Sequence, residues 1–449
     1  MVVPASTALA IWMNGEHVGR WFLDARGNHI LEYSTEWLAS PRSRPLSLSL
    51  PFLPGNARHR GRPVANWFDN LLPDSGAIRD RLRSRFRTDS TRAFDLLTAI
   101  GRDCVGAVRL VREGRDPGDA RMIESESMTD ADVAQALRRV TSPGALGNHE
   151  DDFRISLAGA QEKLALTRIG DRWHRPDGAT PTTHILKLPL GLIGNSRTNM
   201  HQSVENEWYC LQFLGELGLP VPRTEIATFV DVLGEERVLV VERFDREWTR
   251  EPMSDDSWII RLPQEDFCQA MGLASSQKYE SDGGPGLPEC LALLRGGQNA
   301  ETDALTFVKA QFAFWLLAAT DGHAKNFSIF LRRSGYVMTP LYDVISAWPV
   351  VGNAADEWAR QKLRLAMSLR GKRRKHWRID SMSVPDWQQL AARTGASDAF
   401  EQMTAVVEAA DDALSTVDAR TSSEFPVTVR DRIATGVRAQ CERFRLGLP

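Results

Sequence analysis

The sequence predicts an α+β protein of two lobes, one rich in strands and the next all-helical, preceded by an extra N-terminal α/β subdomain. Residues 9–22 have the pattern of two strands joined at Asn14-Gly15, a dipeptide typical of tight hairpins. Residues 113–245 contain short apolar runs bounded by glycine and proline, whereas helical patterns dominate residues 246–449. We therefore expect a cap over residues 1–112, followed by the two lobes.

The composition is that of a folded, water-soluble protein. The chain has 449 residues, of which 42% are hydrophobic and 25% are charged, and its net charge is −3. Five scattered cysteines without C-x-x-C spacing favour reduced thiols over disulfides or a zinc site. The N-terminus lacks the pattern of a signal peptide, and no apolar run is long enough to span a bilayer. These features predict a cytoplasmic protein.

The most informative stretch is the loop that begins at Asp321. A carboxamide, Asn326, follows five residues later, and a second carboxylate, Asp343, follows seventeen residues after that. This spacing is typical of the base and the two magnesium ligands of protein kinases. The alternative is structural, since the carboxylates could cap helices, Asn326 could sit in a turn, and His323 could be an ordinary buried imidazole.

A nucleotide-binding half is expected upstream, beginning with the strand–turn–strand pattern of residues 155–166. Small residues in this turn would let backbone N–H groups approach phosphate oxygens, although a single glycine is equally compatible with an ordinary hairpin. The residues expected to contact the nucleotide here are Leu157, Ala158, Gly159, Ala160 and Gln161.

Lys187 lies in an apolar strand, where a buried ammonium group needs an anionic partner. Helical periodicity over residues 202–217 puts Glu207 near the apolar stripe of a helix and Glu205 well outside it. We therefore predict that Glu207 is the partner of Lys187 and that Glu205 is solvated. The alternative is an edge-strand lysine that extends into water.

The apolar strand that ends near Glu242 has the position of a kinase hinge. In a kinase, main-chain groups of the hinge contact the edge of adenine, and an apolar side chain such as Phe244 would cover the ring. Each motif alone is weak evidence. Their order along the chain, from phosphate loop through lysine, glutamate and hinge to the catalytic loop, predicts a kinase-like phosphotransferase that uses ATP.

The amino-acid sequences of these motifs resemble those of the HipA kinases, the toxins of bacterial HipA–HipB toxin–antitoxin modules. The resemblance extends from about residue 8 to near the C-terminus. It rests on the segments ISLAGAQEKLAL, PTTHILKLP, VENEWYCLQFLGELGLPVP, VVERFDR, RLPQEDFCQAMGL, SSQKYESDGGPG, ATDGHAKNFSIFL and TPLYDVISAWP, with ALAIWMNGEHVGRW and NWFDNLLPDS near the N-terminus.

The resemblance implies roles for the residues of the catalytic loop. Asp321 would be the catalytic base that accepts the proton of a serine hydroxyl. Asn326 and Asp343 would bind Mg²⁺, and Lys187 would hold the phosphates of ATP. Glu242 and Phe244 would offer main-chain groups of the hinge to adenine. Further nucleotide contacts would come from His323 and Lys325.

The same resemblance implies a substrate and partners. The chain would phosphorylate a serine of glutamyl-tRNA synthetase, which would block tRNA charging and induce dormancy with antibiotic tolerance. It would also autophosphorylate at Ser156, where added negative charge would expel the loop and switch the enzyme off. A HipB-like helix-turn-helix antitoxin would join it to operator DNA as a co-repressor. Candidate DNA contacts in the basic stretch 360–378 are Lys372, Arg373, Arg374 and Lys375, which could equally form a solvated loop.

Two other functions stay open on the sequence. Small-molecule phosphotransferases of the aminoglycoside-kinase type also carry an aspartate and an asparagine in this geometry, but ISLAGAQEKLAL and the N-terminal cap argue against that class. A catalytically weak, DNA-bound co-repressor would explain the basic stretch. It would leave the full kinase set of Lys187, Asp321, Asn326 and Asp343 unexplained.

Overall fold

The structure, a computed structural model, describes residues 8–141, 161–193, 198–252, 254, 256–371 and 374–448. Helices and strands are mixed along the chain, and an N-terminal sheet precedes the others, which confirms the predicted α+β class with its N-terminal subdomain. Among these residues, no helix is both long and apolar enough to cross a membrane.

The N-terminal part is an antiparallel sheet with short helices packed against it. Its strands are β1 (Ala8–Met13), β2 (Glu16–Leu23), β3 (His29–Tyr33), β4 (His59–Arg60) and β5 (Val108–Arg112), in the spatial order β4-β3-β2-β1-β5. The helices are α1 (Thr35–Ala39), α2 (Arg62–Asp69), α3 (Gly76–Phe86) and α4 (Ala93–Ile100). Asn14 and Gly15 join β1 to β2 with φ of 48° and 86°, as the predicted tight turn requires. Trp21 stacks on Phe68 of α2 with ring centroids 3.8 Å apart, which ties the sheet to the helices.

The middle part is a six-stranded antiparallel sheet. Its strands are β6 (Ser125–Met128), β7 (Lys163–Ile169), β8 (Arg172–Pro176), β9 (His184–Lys187), β12 (Thr224–Asp231) and β13 (Gly234–Glu242), in the order β12-β13-β9-β7-β8-β6; β10 (Leu192–Ile193) and β11 (Thr198–Asn199) pair separately. Helix α5 (Asp130–Thr141) packs with Val238 and Val240, whereas α6 (Ser203–Glu216) packs with Leu239 and Val241. Because side chains alternate along a strand, the two helices cover opposite faces of the sheet.

The C-terminal part is mostly helical rather than all-helical. Its helices are α7 (Phe267–Ala270), α8 (Leu287–Arg295), α9 (Ala300–Leu317), α10 (Val384–Ala391), α11 (Ala399–Ala419) and α12 (Val427–Leu446). Its strands are β14 (Arg246–Trp248), β15 (Ile259–Arg261), β16 (Gln264–Asp266), β17 (Ser328–Arg332), β18 (Gly335–Met338), β19 (Arg364–Arg370) and β20 (Lys375–Arg378). The hairpin predicted to follow the catalytic loop is formed by β17 and β18, and it pairs with β16 in a three-stranded sheet. This lobe therefore contains strands as well as helices.

Helix α9 is the central helix of this lobe. Its residues from Phe312 to Leu317 are buried all round, as the uniformly apolar sequence indicates. It ends at Ala318, which adopts a left-handed conformation with φ of 48°. This reversal directs the chain into the loop that carries Asp321.

The prediction of a solvated Glu205 is wrong. Glu205 is buried, and it accepts a hydrogen bond at 2.5 Å from Nε of Arg237 on β13. Helix α6 lies against the sheet on one side and contacts α9 and α11 on the other, so more of its circumference is covered than its apolar stripe indicates.

A buried ionic cluster joins the three predicted parts of the chain. Asp103 accepts hydrogen bonds from Arg243 at 3.2 Å and Arg246 at 3.0 Å, and it ion-pairs with Arg261 at 3.1 Å. Burial alone would raise the pKa of Asp103, but the three guanidinium groups outweigh it and hold that pKa well below the usual range. Loss of one partner would leave uncompensated buried charge, so the cluster locks the parts together. The boundaries at residues 112 and 245 stay predictions.

Glu265 on β16 gives the fold a testable pH dependence. It is fully buried, it accepts hydrogen bonds from the N–H of Leu48 and from Nε1 of Trp67, and burial raises its pKa from 4.5 to about 7. Between these values the folded state retains a proton that the unfolded chain releases, so this group lowers stability as pH rises. We expect the free energy of unfolding of Glu265→Gln, relative to wild type, to increase by about 2 kcal/mol between pH 5 and pH 8.

Urea unfolding at both pH values measures this difference. The exposed Glu424→Gln is the matched control and should follow wild type at both. A Glu265→Gln protein whose stability changes with pH in parallel with wild type would contradict the prediction.

Candidate active site

A cleft with a cavity volume of about 160 Å³ opens between the six-stranded sheet and the helical lobe. It gathers side chains from all three predicted parts of the chain, including the predicted base, lysine, glutamate, hinge and metal ligands. The residues that line it are Asn70, Leu71, Asp74, Val105, Lys163, Ile185, Lys187, Glu207, Leu211, Val241, Glu242, Arg243, Phe244, Asp245, Gln264, Asp266, Gln269, Lys278, Asp321, His323, Lys325, Asn326, Ser328, Tyr342 and Asp343.

Lys187 ends β9 and is bound on two sides. Its neighbours Leu186 and Leu188 belong to the face that packs on α5, so alternation turns Lys187 toward α6. There its Nζ donates to Oε1 of Glu207 at 2.5 Å and to Oδ1 of Asp343. The Lys187 side chain is 7% exposed and the Glu207 side chain 1%, so the pair is shielded from water.

The electrostatics of this group follow from burial and proximity. Burial alone would lower the pKa of Lys187, but Asp343 and Glu207 outweigh it and raise that pKa above its usual value. Burial would raise the pKa of Asp343, but Lys187 and Lys163 outweigh it and keep that carboxyl ionised. For Glu207 burial prevails over Lys187, and its pKa is raised. One buried cation therefore serves two carboxyl groups.

The loop after α9 presents Asp321 to the cleft entrance. Its side chain is 62% exposed, and it accepts a hydrogen bond from the hydroxyl of Tyr279. Nδ2 of Asn326 donates to the main-chain oxygen of Asp321 at 2.7 Å, which folds the loop back on itself. A Cβ atom on Gly322 would lie 2.6 Å from a ring carbon of Phe314, so the close approach of loop and helix requires glycine here.

Asp343 reaches the cleft through an unusual backbone conformation. Its φ of 60° lies in the left-handed region, which costs a non-glycine residue free energy and is held by its surroundings. The adjacent Tyr342 supplies part of that hold, since its hydroxyl donates to the main-chain oxygen of Lys325 at 2.9 Å and bonds Oγ of Ser328. Tyr342 thus joins the segment that carries Asp343 to the catalytic loop.

The predicted hinge lies at the edge of the same cleft. Phe244 is half-buried, and its ring lies 5.8 Å from those of Phe330 and Tyr342. The N–H of Glu242 already donates to the carbonyl of Arg223 at 2.9 Å, so its own carbonyl is the main-chain group it can offer to a ligand.

The structure places His323 and Lys325 differently from Lys187. His323 is buried against Tyr279, with ring centroids 4.8 Å apart and Nε2 3.9 Å from Oδ1 of Asp321; burial lowers its pKa, which favours a neutral imidazole. Nζ of Lys325 donates to Oδ1 of Asn70 at 2.9 Å and to its main-chain oxygen at 3.1 Å. Both side chains line the cleft, but Lys325 is held by the N-terminal part.

Most of the predicted phosphate loop lies outside the part of the chain that the structure describes. Ser156, Leu157, Ala158, Gly159 and Ala160 lie outside the described residues. Gln161 is buried, and its Nε2 donates to the main-chain oxygen of Leu188 at 2.5 Å. It is not among the lining residues, so in this structure it fastens the start of β7 to the strand that carries Lys187.

Sequence reasoning missed several residues of the cleft. Lys163 pairs with Lys187 in the register of β7 and β9, and burial lowers its pKa. Its position beside the phosphate-loop motif was a signal that could have identified it. The others are Asn70, Asp74, Asp266 and Lys278, which distant segments bring to the cleft, while Tyr279 contacts Asp321 at its entrance.

The basic stretch is partly neutralised. Lys375 forms an ion pair at 2.7 Å with Glu280, and Arg360 approaches Asp380 at 3.4 Å. Arg374 is exposed, whereas the other two candidate DNA contacts, Lys372 and Arg373, lie outside the described residues. A DNA contact by this stretch remains a prediction.

Two family models match the chain. One described as the HipA N-terminal domain matches residues 9–111, and one described as the HipA-like C-terminal domain matches residues 155–417. "Putative kinase Y4mE" of Sinorhizobium fredii is 30% identical over 451 residues, covering 98% of this chain and 99% of that protein. The serine/threonine-protein kinase toxin HipA of Shewanella oneidensis is 27% identical over 346 residues, covering 73% and 72%.

A solved structure has the same fold. A chain from the complex of HipA, HipB and operator DNA of Shewanella oneidensis matches with a TM-score of 0.78 and 23% sequence identity, covering 97% of each chain. This match confirms the predicted kinase-like, two-lobed fold with its N-terminal subdomain.

The contact between Gly322 and Phe314 gives a testable prediction. Gly322→Ala should lower the free energy of unfolding by about 1–3 kcal/mol, because the added methyl group overlaps a buried ring and either the loop or α9 must shift. Urea unfolding measures the loss.

Phe314→Leu in the same chain provides the control. The smaller side chain vacates the space, so Gly322→Ala should cost much less in that background, and the two substitutions should be non-additive. Equal losses in both backgrounds would show that the ring is not the constraint.

Proposed function

Because the chain belongs to the HipA family, we propose that it is a serine/threonine protein kinase that acts as the toxin of a toxin–antitoxin pair. The observation that carries the proposal is the convergence of Lys187, Glu207 and Asp343 with Asp321 and Asn326 in one cleft. Such an arrangement can bind a nucleoside triphosphate and present a carboxylate to an incoming hydroxyl group.

In the proposed reaction, ATP lies with its adenine toward the hinge and its phosphates toward Lys187. The acceptor serine approaches Asp321, whose exposed side chain is accessible to a second protein. Asp321 accepts the hydroxyl proton as the serine oxygen bonds to the γ-phosphorus, and the bond from that phosphorus to the β–γ bridging oxygen breaks to release ADP. The hydroxyl of Tyr279 now donates to Asp321, so it occupies a position that the acceptor hydroxyl would take.

We propose Asn326 and Asp343 as the Mg²⁺ ligands, and their hydrogen bonding fits that role. The amide nitrogen of Asn326 is used by the Asp321 carbonyl, which leaves its amide oxygen to face a cation. Asp343 gives one carboxylate oxygen to Lys187 and retains the other. Among the described residues there is no cluster of three or more His, Cys, Asp or Glu side chains suited to a metal. Two protein oxygens suit Mg²⁺, which usually completes its shell with water and phosphate and would neutralise the charge of the triphosphate.

The acceptor and partners are proposed from the family. Glutamyl-tRNA synthetase is the proposed protein substrate, so that phosphorylation blocks tRNA charging and induces dormancy with antibiotic tolerance. Autophosphorylation at Ser156 would end activity by adding charge beside the triphosphate. A HipB-like antitoxin and, through it, operator DNA are the proposed partners, in line with the named components of the Shewanella oneidensis complex.

The kinase proposal predicts that transfer depends on Asp321. Purified protein with Mg²⁺ and γ-labelled ATP should label Ser156 and glutamyl-tRNA synthetase, located by phosphopeptide mass spectrometry. Asp321→Asn should reduce the rate by about 10²–10⁴-fold, because it removes a positioned proton acceptor and leaves the nucleotide contacts in place. Asp282→Asn, an exposed acidic residue of the neighbouring loop, should keep wild-type activity. Equal labelling by all three proteins would exclude Asp321 as the base.

Cell growth separates catalysis from repression. Expression of the wild-type protein should arrest growth, whereas Asp321→Ala at equal protein level should not, because a toxin that acts by phosphorylation needs its base. Plating counts measure the difference, and immunoblots control for expression. Equal toxicity of the two forms would favour the co-repressor function instead.

A further inference from the structure

Asp74, in the segment between α2 and α3, lies in the cleft between two lysines of the helical lobe. Its Oδ2 accepts a hydrogen bond from Nζ of Lys278 at 2.8 Å, and its Oδ1 lies 3.4 Å from Nζ of Lys325. We propose that Asp74 is a positioning residue that holds Lys278 and Lys325 at the phosphate end of the cleft. This inference rests on the proposed kinase function.

Both lysines precede a residue of the candidate active site. Lys325 comes directly before Asn326, and Lys278 comes directly before Tyr279, whose hydroxyl contacts Asp321. A single carboxylate therefore bridges the loop of the base and the loop that covers the base. Loss of the bridge would remove one of the contacts that hold each loop, while Lys325 would keep its hydrogen bonds to Asn70.

The N-terminal part holds Asp74 in a fixed place. Nδ2 of Asn70 donates to the carbonyl of Leu273, and Nδ2 of Asn66 donates to that of Gly272, both at 2.9 Å. Oγ of Ser275 donates to Asp69 at 3.0 Å. These bonds fix the segment that leads to Asp74, so its carboxylate extends into the cleft from a firmly held part of the chain.

The local charges argue for an indirect role. An anionic side chain at the phosphate end of the cleft repels a triphosphate, so any benefit of Asp74 must act through the two cations. The side chains of Lys278 and Lys325 are 17% and 3% exposed, so they have few alternative rotamers. The entropy cost of fixing them by ion pairs with Asp74 is therefore small. Oδ1 of Asp74 is buried and forms an ion pair with Nζ of Lys325 at 3.4 Å.

Asp74→Asn tests the proposal, because it keeps the shape and removes the charge. The rate of autophosphorylation is measured as a function of ATP concentration by transfer of labelled phosphate. We expect the limiting rate to fall about 10- to 100-fold, because misplaced lysines no longer align the phosphoryl group, while the ATP concentration at half the limiting rate changes less than about threefold. Asp80→Asn, an exposed residue of α3, is the matched control and should behave as wild type.

A double-mutant cycle shows whether Asp74 acts through Lys278. Lys278→Gln should also lower the limiting rate, and adding Asp74→Asn to it should lower the rate less than Asp74→Asn does alone. Additive losses, or a limiting rate of Asp74→Asn equal to that of Asp80→Asn, would overturn the inference while the kinase function stands. Wild-type protein that transfers no phosphate would overturn both. Thermal melting of each variant separates a loss of folded protein from a loss of rate, and Lys278→Gln keeps the test informative if Asp74→Asn fails to fold.

Discussion

The buried ammonium group of Lys187 is the interaction on which the rest of the cleft depends. A lysine with no counter-charge would be expelled from the interior or would lose its proton, since burial disfavours the charged form. Glu207 and Asp343 prevent both, and each belongs to a different element, α6 in one case and the segment after β18 in the other. The ion pairs therefore fix a strand, a helix and a loop relative to one another. A triphosphate would enter a site whose cation is already in place.

The parts of this arrangement that depend on local pattern could be predicted from the sequence. The helical period of α6 indicates which of its side chains share a face, and it favours Glu207 over Glu205 as the partner of Lys187. The spacing from Asp321 to Asn326 to Asp343 was equally readable, because a buried helix before the loop and a hairpin after it leave the chain few paths. The Asn14-Gly15 turn required positive φ, and the structure provides it.

The parts that depend on distant contacts could not be predicted. Asp74 lies 204 residues before Lys278 and Asn70 lies 255 residues before Lys325, and no periodicity in one segment reports on the other. Glu205 was misjudged for a related reason, because its burial depends on Arg237 of a strand that the helix pattern does not describe. The hinge stays a prediction, and the N–H of Glu242 donates to the carbonyl of Arg223, which directly precedes β12, a contact that is visible only in three dimensions.

Hydrogen bonds from side chains to main-chain carbonyl groups join α2 to the β16–α7 unit. The carbonyls of Gly272 and Leu273 accept side-chain amides of α2 and its C-terminal end, while the carbonyl of Trp67 accepts Nε2 of Gln269 in return at 3.0 Å. An apolar interface tolerates small displacements of one element along the other, but directional hydrogen bonds of this kind form at one relative position only. Removal of the first hundred residues would deprive these carbonyl groups of their donors and Lys325 of its hydrogen bonds to Asn70. The helical lobe therefore depends on the N-terminal part for the alignment of its loops.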